Sequence, residues 1–408
     1  FNSSGYKIYI GQKLYRSDCT IEAFQTIDGD ESPFDDSGIA MIALSAPNIQ
    51  INSIYAEFTK YASIYDGTIW QATKVPTQNA AAHYRDLLLG EGNADPVGGE
   101  VLDEEGLAEW YLQGYNVNAI LQGVRVNEVK QVIATAGYAS PRDSRVYGVV
   151  RDLDTSSDPI RYLIAPYNSK SEGNISEIRK LPHAIRAEFN NEALSYAVDH
   201  VIVYRPGYDA SNATLFETIN YTGITTEAEV TARATFDLRQ SYLRQARYSR
   251  EVGLEFLGIQ RGDVVGLSDD TIDGNTAGGW IKSVQYSGSN IVSVTLDNIM
   301  PWSLSTSIES AEDVASITDI VNPAEPMALA IKIPGQDLIY KQVSTVTDDN
   351  VCTFTTPFAD DGSIVPGLLA VCGTYDRPVR RCRVLQVIPR GYERRLVIMT
   401  DEAPELYA

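Results

Sequence analysis

Hydrolytic chemistry of the common kind needs a nucleophile with a base beside it, and this chain of 408 residues offers three histidines for that role: His83, His183 and His200. His83 lies in an alanine-rich stretch that reads as a helix, His183 follows Pro182 ahead of a strand, and His200 opens a strand. No Gly-x-Ser-x-Gly elbow accompanies them and no His-Glu-x-x-His pair offers itself to zinc, so all three are expected to be structural. Gly98-Gly99 and Gly278-Gly279 lack the Lys-Ser/Thr of a phosphate-cradling loop and read as turns. The carboxylates Asp28, Asp30, Glu31, Asp35 and Asp36 are dense enough for calcium. They lack the Asp-x-Asp-x-Asp-Gly register with a glutamate at the twelfth position, so the stretch reads as a solvated loop. Arg261-Gly262-Asp263 runs into Val264 and Val265 and reads as a tight turn entering a strand. No catalytic, cofactor or metal site is expected. A carbohydrate-binding or glycan-cleaving β protein stays open as the alternative, because a catalytic pair cannot be sorted by sequence from 54 acidic residues.

One charge cluster departs from the rest of the chain. Arg377, Arg380, Arg381, Arg383, Arg390, Arg394 and Arg395 bring seven of the 33 basic residues into 377–395, on what read as two paired strands. Guanidinium forks bind carboxylates bidentately, so the stripe is matched by carboxylates of the same chain or of a neighbouring copy. A subunit interface at Arg377, Arg380, Arg381, Arg383, Arg394 and Arg395 is the sharper expectation. Cys19, Cys352, Cys372 and Cys382 show no CxxC and no repeated spacing; the last three are expected to be free and buried, given synthesis in a reducing cytoplasm.

The elements that position these residues are mostly strands. Residues 7–10, 49–51 and 53–65 are rich in Tyr, Ile and Thr, which suit a pleated surface. Three helices follow: Asn79 opens one ending at Leu89 before Gly90, Asp103 precedes 104–112, and Asn127 caps 128–136 before Gly137. A turn at 141–144 leads to a strand at 145–152, making a small α+β unit. Strands are expected at 184–189 and 200–204. Thr226 with Glu229 then forms a capping box for a helix of about 20 residues, with Ala228, Ala232, Phe236, Tyr242, Leu243 and Ala246 on its buried face. Two hairpins, 280–286 with 291–297 and 380–388 with 394–400, complete the pattern; Val292, Val294 and Leu296 share one face of the first. The fold class is therefore α+β, mainly β and multi-domain, with seams expected to divide 1–72, 73–170, 171–320 and 321–408.

Acidic residues outnumber basic ones by 54 − 33 = 21, which argues against a surface that grips DNA or anionic lipid. Mean hydropathy is −0.17 and no apolar run approaches the ~18 residues of a membrane span. Opening on Phe1 without methionine, the chain is expected to be a fragment or to lack its start.

Several stretches, in order, resemble the central tail-tip protein of long-tailed phages, the baseplate hub family also called tip attachment or host specificity protein J. Asp66-Gly67-Thr68-Ile69-Trp70 and Asn79-Ala80-Ala81 look like its Trp-Asp-Gly-Thr and Asn-Pro-Ala segments, with the tryptophan displaced and alanine in place of proline. Residues 103–110, 127–137 and 147–152 resemble its acidic helix and the helix and strand after it. Residues 181–189, 203–207, the helix capped by Thr226, 262–265, 278–281 and 382–387 ahead of Tyr407 continue the series. The order spans most of 53–408. The resemblance implies β-barrel-like hub domains in a homotrimeric ring that closes the tail tube and opens for DNA, at the tail tip of the virion. It also implies a distal tail protein, a tape measure protein and tail-tip fibres as partners, DNA only as transiting cargo, and host envelope contact through parts outside this chain. An acidic wall suits such a channel, because a basic one would hold DNA by counterion release.

Overall fold

The computed structural model describes residues 6–10, 40–44, 59–90, 93, 95–121, 123–143, 146–176, 181–269, 277–298, 327–347, 350–374 and 379–407. The chain divides into two units, Phe1–Thr59 and Lys60–Ala408. In the first, β1 (Tyr6–Ile10) pairs antiparallel with β2 (Ala40–Leu44), Ile8 opposite Ile42. The acidic loop 28–36, Cys19, the strand expected at 49–51 and residues 53–58 lie outside the described residues.

The second unit opens with a small α+β block. β3 (Tyr61–Tyr65) and β4 (Trp70–Pro76) pair antiparallel, and α1 (Ala80–Leu89) begins where Asn79 Oδ1 accepts from the Ala81 and Ala82 amides at 2.9 and 3.3 Å. In α2 (Glu104–Leu112), Asp103 Oδ1 accepts from the Gly106 amide at 3.0 Å. The third helix, α3 (Val126–Ala136), starts ahead of its expected cap: Arg125 is the N-cap and its N–H donates to the Glu128 carboxylate, so Asn127 lies inside the first turn. β5 (Ala139–Asp143) and β6 (Tyr147–Arg151) form a hairpin containing Pro141, which the sequence reading put in a turn. A two-stranded sheet tolerates proline because its missing N–H can face outward. Tyr84, Leu88, Leu107, Trp110, Ile133 and Val149 make the core of this block. Trp110 donates its indole N–H to the Gly137 carbonyl at 2.8 Å, and a Cβ at Gly137 would lie 2.4 Å from the indole ring, so only glycine lets the helix end that close.

The rest is a six-stranded sheet carrying two insertions. Its strands are β7 (Leu163–Ile164) and β8 (Ser169–Ser176), then, past the first insertion, β12 (Ala246–Val252) and β13 (Val264–Leu267), and past the second, β20 (Arg380–Arg390) and β21 (Arg394–Asp401). They lie in the order β7-β13-β20-β21-β12-β8. The first insertion is β9 (Ala184–Asn191), β10 (Ala197–Tyr204), β11 (Phe216–Asn220) and α4 (Glu227–Leu243). The Thr226 hydroxyl accepts from the Glu229 amide, as the capping pattern predicts. The buried face of α4 is Val230, Ala234 and Leu238, however, while Ala228 and Ala232 are exposed. The observed stripe is offset from the expected one and sets Val230, Ala234 and Leu238 over Ile185, Ala187 and Phe189, while Phe236 stays half-buried.

The second insertion is a closed antiparallel barrel of β14 (Ala277–Ser287), β15 (Asn290–Leu296), β16 (Met327–Lys332), β17 (Ile339–Val346), β18 (Val351–Ala359) and β19 (Leu369–Thr374), in the order β14-β15-β18-β17-β16-β19. Ile291, Val294, Leu296, Leu329 and Phe354 fill it. Val292 leaves the expected face because the register shifts between Ile291 and Ser293, which inverts the alternation. Ala330, Leu369 and Val371 of the barrel strands pack against Leu163 of β7 and against Ile160 and Val379, which lead into β7 and β20.

The architecture is mainly β and multi-domain, with 21 strands and four α-helices among the described residues. The expected seams are corrected: 72–73 falls within β4, 170–171 within β8, and the barrel has strands on both sides of 320–321. Domains here are nested, so a change of texture along the chain marks the start of an insertion rather than the end of a domain. Leu329 is fully buried in the barrel, and Leu329→Ala is expected to destabilise it by about 2–5 kcal/mol, read from the urea midpoint. Cys352, Cys372 and Cys382 are free and buried, with burial pushing the Cys352 thiol up to about 12. An alkylating reagent near neutral pH is expected to leave these three unmodified until denaturant is added, as peptide mass mapping will show.

Candidate functional site

The arginine stripe lies on β20 and β21, and the structure places each described member. Arg383 is 6% exposed; its Nη1 reaches Asp152 Oδ1 at 2.6 Å, and its Nη2 donates to the Leu153 carbonyl at 3.0 Å. Arg381 Nε donates to Glu402 Oε2 at 2.6 Å, and its Nη2 to the Thr155 and Asp158 carbonyls at 2.6 and 3.0 Å. Arg380 Nη1 donates to Asp401 Oδ1 at 2.9 Å and to the Tyr248 hydroxyl at 3.2 Å. Arg394 and Arg390 both pair with Glu251, and Arg395 donates to the Leu257 carbonyl at 2.9 Å. Arg377 lies outside the described residues. Arg380, Arg381 and Arg383 therefore find carboxylates in their own chain, the first of the two sources that the sequence left open. Antiparallel pairing sets Cys382 opposite Asp401, which brings the carboxylates of 401 and 402 to Arg380 and Arg381, the two arginines that precede Cys382.

The centre of the arrangement is Asp152, at the end of the α+β block. Besides Arg383 it accepts from Arg244 Nη1 at 2.9 Å on Oδ2, from Gln240 Nε2 at 3.2 Å and from the Tyr407 hydroxyl. Arg244 follows α4 and also donates to the Glu402 carbonyl, at 3.0 Å from Nη2 and 3.2 Å from Nε, and to the Tyr407 hydroxyl at 2.9 Å from Nη2. Glu402 is 2% exposed, and the Thr155 hydroxyl donates to its free oxygen. Four parts of the chain, the block's exit at 151–155, the end of α4, the β20 arginines and the C-terminal turn Pro404–Tyr407, thus meet on two carboxylates. Burial alone would raise the Asp152 carboxyl, but the Arg244 hydrogen bonds and the charges of Arg244 and Arg383 outweigh it and hold the group below its ordinary value. Burial and the bond to Asp152 push the Tyr407 phenol up to about 12.

Asp152, Arg244, Glu402 and Tyr407 were not singled out as a site by sequence. The available signal was the basic cluster itself, which needs carboxylates, and Asp401-Glu402 stands directly after its second strand. The histidines have local partners: His83 Nε2 lies 2.7 Å from the Thr77 carbonyl, and His183 Nδ1 accepts from the Thr214 amide at 3.1 Å while its ring stacks on Tyr208. His200 lies exposed on β10. Arg261-Gly262-Asp263 is a tight turn; Gly262 has φ +95°, and Asp263 Oδ2 accepts from the Gln260 amide at 2.8 Å. Among the described residues no group of three metal-ligating side chains converges. What the junction does chemically is hold elements together.

Comparison with known proteins adds little to this geometry. No family model and no curated protein matches the chain. Among solved structures it is similar to a chain described as "Virion of native gene transfer agent (GTA) particle", with a TM-score of 0.30 and 10% identity over 65% of this chain and 35% of that one. The protein thus spans about a third of the length of that structure.

Asp152→Ala leaves Arg244 and Arg383 buried without their shared counter-charge, and is expected to destabilise the fold by about 3–5 kcal/mol. Because the folded carboxyl is depressed, its contribution is complete above the ordinary aspartate value of 3.8 and is lost as the pH falls through the folded value. Denaturation of the native chain and of Asp152→Asn is therefore expected to differ most at neutral pH and to converge in acid below 3.8.

Proposed function

We propose that this chain is a structural, non-catalytic hub protein of a long-tailed phage or phage-like particle, acting at the tail tip. In this reading it forms a trimeric ring that closes the tail tube and opens for DNA passage and host attachment. The observation that carries the reading is the ordered series of motif resemblances over most of 53–408, which coincides with a barrel and a sheet nested in one unit. The junction at Asp152 supports it further: a ring that bears load needs its insertions tied to its frame, and four segments are tied here by charge-assisted bonds. The distal tail protein, the tape measure protein and tail-tip fibres are the proposed partners, and DNA passes as cargo. The surplus of 21 negative charges suits a wall along which DNA moves. Host contact is assigned to other parts of the particle.

Native mass spectrometry of the purified chain is expected to show a trimer, and labelled particles are expected to carry it at the tail tip. A monomer that cleaves a polysaccharide would replace the hub reading with a glycan-acting one.

A further inference from the structure

The sheet of the first insertion has the order β10-β9-β11 and leaves two strand edges unpaired among the described residues. Pairing of β10 with β9 sets 198 opposite 190, 200 opposite 188 and 202 opposite 186, while β11 sets 216, 218 and 220 opposite 184, 186 and 188. Even-numbered residues therefore share one face and odd-numbered ones the other. The odd face is covered by α4, through Ile185, Ala187, Phe189, Val201, Val203 and Ile219. The even face is not covered by α4 and leaves apolar side chains open, with Val198 76%, Ile202 40% and Phe216 45% exposed.

β10 itself is eight residues, Ala197–Tyr204, without lysine, proline, glycine or a register shift. An edge of that length usually carries such interruptions to prevent pairing with another chain. One edge group is satisfied locally, since the His200 amide donates to Asp199 Oδ1 at 2.8 Å. The rest of the edge presents backbone donors and acceptors that only an extended strand can match in register.

We propose that the β10 edge of one copy receives the β11 edge of the next, extending the sheet between subunits; this rests on the trimer reading and names its joint. Three observations select a second copy as the occupant. The two open edges are different strands of one sheet, so the contact is head-to-tail and can close a ring, as a cyclic oligomer requires. β10 runs antiparallel to β9 and β11 runs parallel to it, so copies related by rotation present β11 and β10 to each other antiparallel. Charge agrees with that sense: a parallel joint centred on Thr218 and His200 sets Glu217 directly opposite Asp199, whereas the antiparallel one sets it opposite an apolar valine. Of the face-matched antiparallel registers, those that set Phe216 opposite Ile202 or Tyr204 place Glu217 opposite Val201 or Val203 and cover apolar side chains that are exposed in the isolated chain.

The test uses the full chain. Val198→Lys with Ile202→Lys changes only exposed side chains and is expected to convert the trimer to monomer in native mass spectrometry, with a cooperative thermal unfolding transition retained but no longer dependent on protein concentration. Amide exchange on the native sequence provides the second measurement, with residues 198–204 and 216–220 expected to slow by about tenfold or more on association. A double variant that stays trimeric, or a trimer in which these amides exchange as fast as in the diluted chain, overturns the joint and leaves the trimer reading standing. A native chain that is monomeric throughout removes both. A monomer whose 198–204 amides are already protected shows that the chain covers its own edge, and overturns the joint as well.

Discussion

The fold of residues 60–407 turns on one electrostatic constraint: two arginines with largely buried side chains, Arg244 and Arg383, share the carboxylate of Asp152. Neither guanidinium can lose its proton, so each must be neutralised where it stands. The carboxylate is reached from the end of α4 and from β20, and it leaves the α+β block by the same backbone that gives carbonyls to Arg383. The Glu402 carbonyl and the Tyr407 hydroxyl complete the coordination of Arg244, so the C-terminal turn belongs to the same structure. Pairs of this kind add little net stability against a well-packed apolar alternative; what they do is make wrong arrangements expensive. Here they specify how the α+β block, the first insertion and the C-terminal turn meet on one frame.

That role follows from the way the chain is nested. The six-stranded sheet is assembled from three separated portions of sequence, 163–176, 246–267 and 380–401, and each gap is filled by a folded insertion. Bringing β20 beside β13 requires the barrel between them to begin and end near one place. β14 and β19, its first and last strands, are neighbours that close it, so its ends are held together by their own hydrogen bonds. The entropy of closing a long loop is thereby met within the barrel.

Local chemistry was legible in the sequence and long-range closure was not. The caps at Asn79, Asp103 and Thr226 act over two or three residues, and the helices they open stand where the pattern put them. Both C-terminal hairpins were equally plain, because alternation and a turn suffice to specify them. Asn127 misled because Glu128 can reach back to Arg125, an alternative cap that composition ranks lower. The buried face of α4 was misread because alanines recur at helical spacing on its exposed side. The barrel and the Asp152 junction join residues up to 255 positions apart, and nothing in a local window encodes which carboxylate an arginine will meet. The histidine partners were beyond sequence as well, though the absence of catalytic spacing around them was visible.

The destination of the arginines changes how the chain's charge acts. If Arg380, Arg381 and Arg383 faced a neighbour, they would offset part of the 21-charge surplus at the contact itself. Because they are spent on Asp401, Glu402 and Asp152, the surplus lies on the remaining surface and copies of the chain repel one another at long range. That repulsion is confined by salt to a Debye length of about 8 Å. Association must then come from contacts shorter than that distance, backbone pairing and apolar burial, which screening does not weaken. The stretch 194–216 supplies both, with Leu194, Val198, Ile202, Leu215 and Phe216 exposed around an unpaired strand edge and with few charges on the face that α4 does not cover. Cohesion within one copy is therefore carried by ion pairs, and cohesion between copies falls to the uncharged part of the surface.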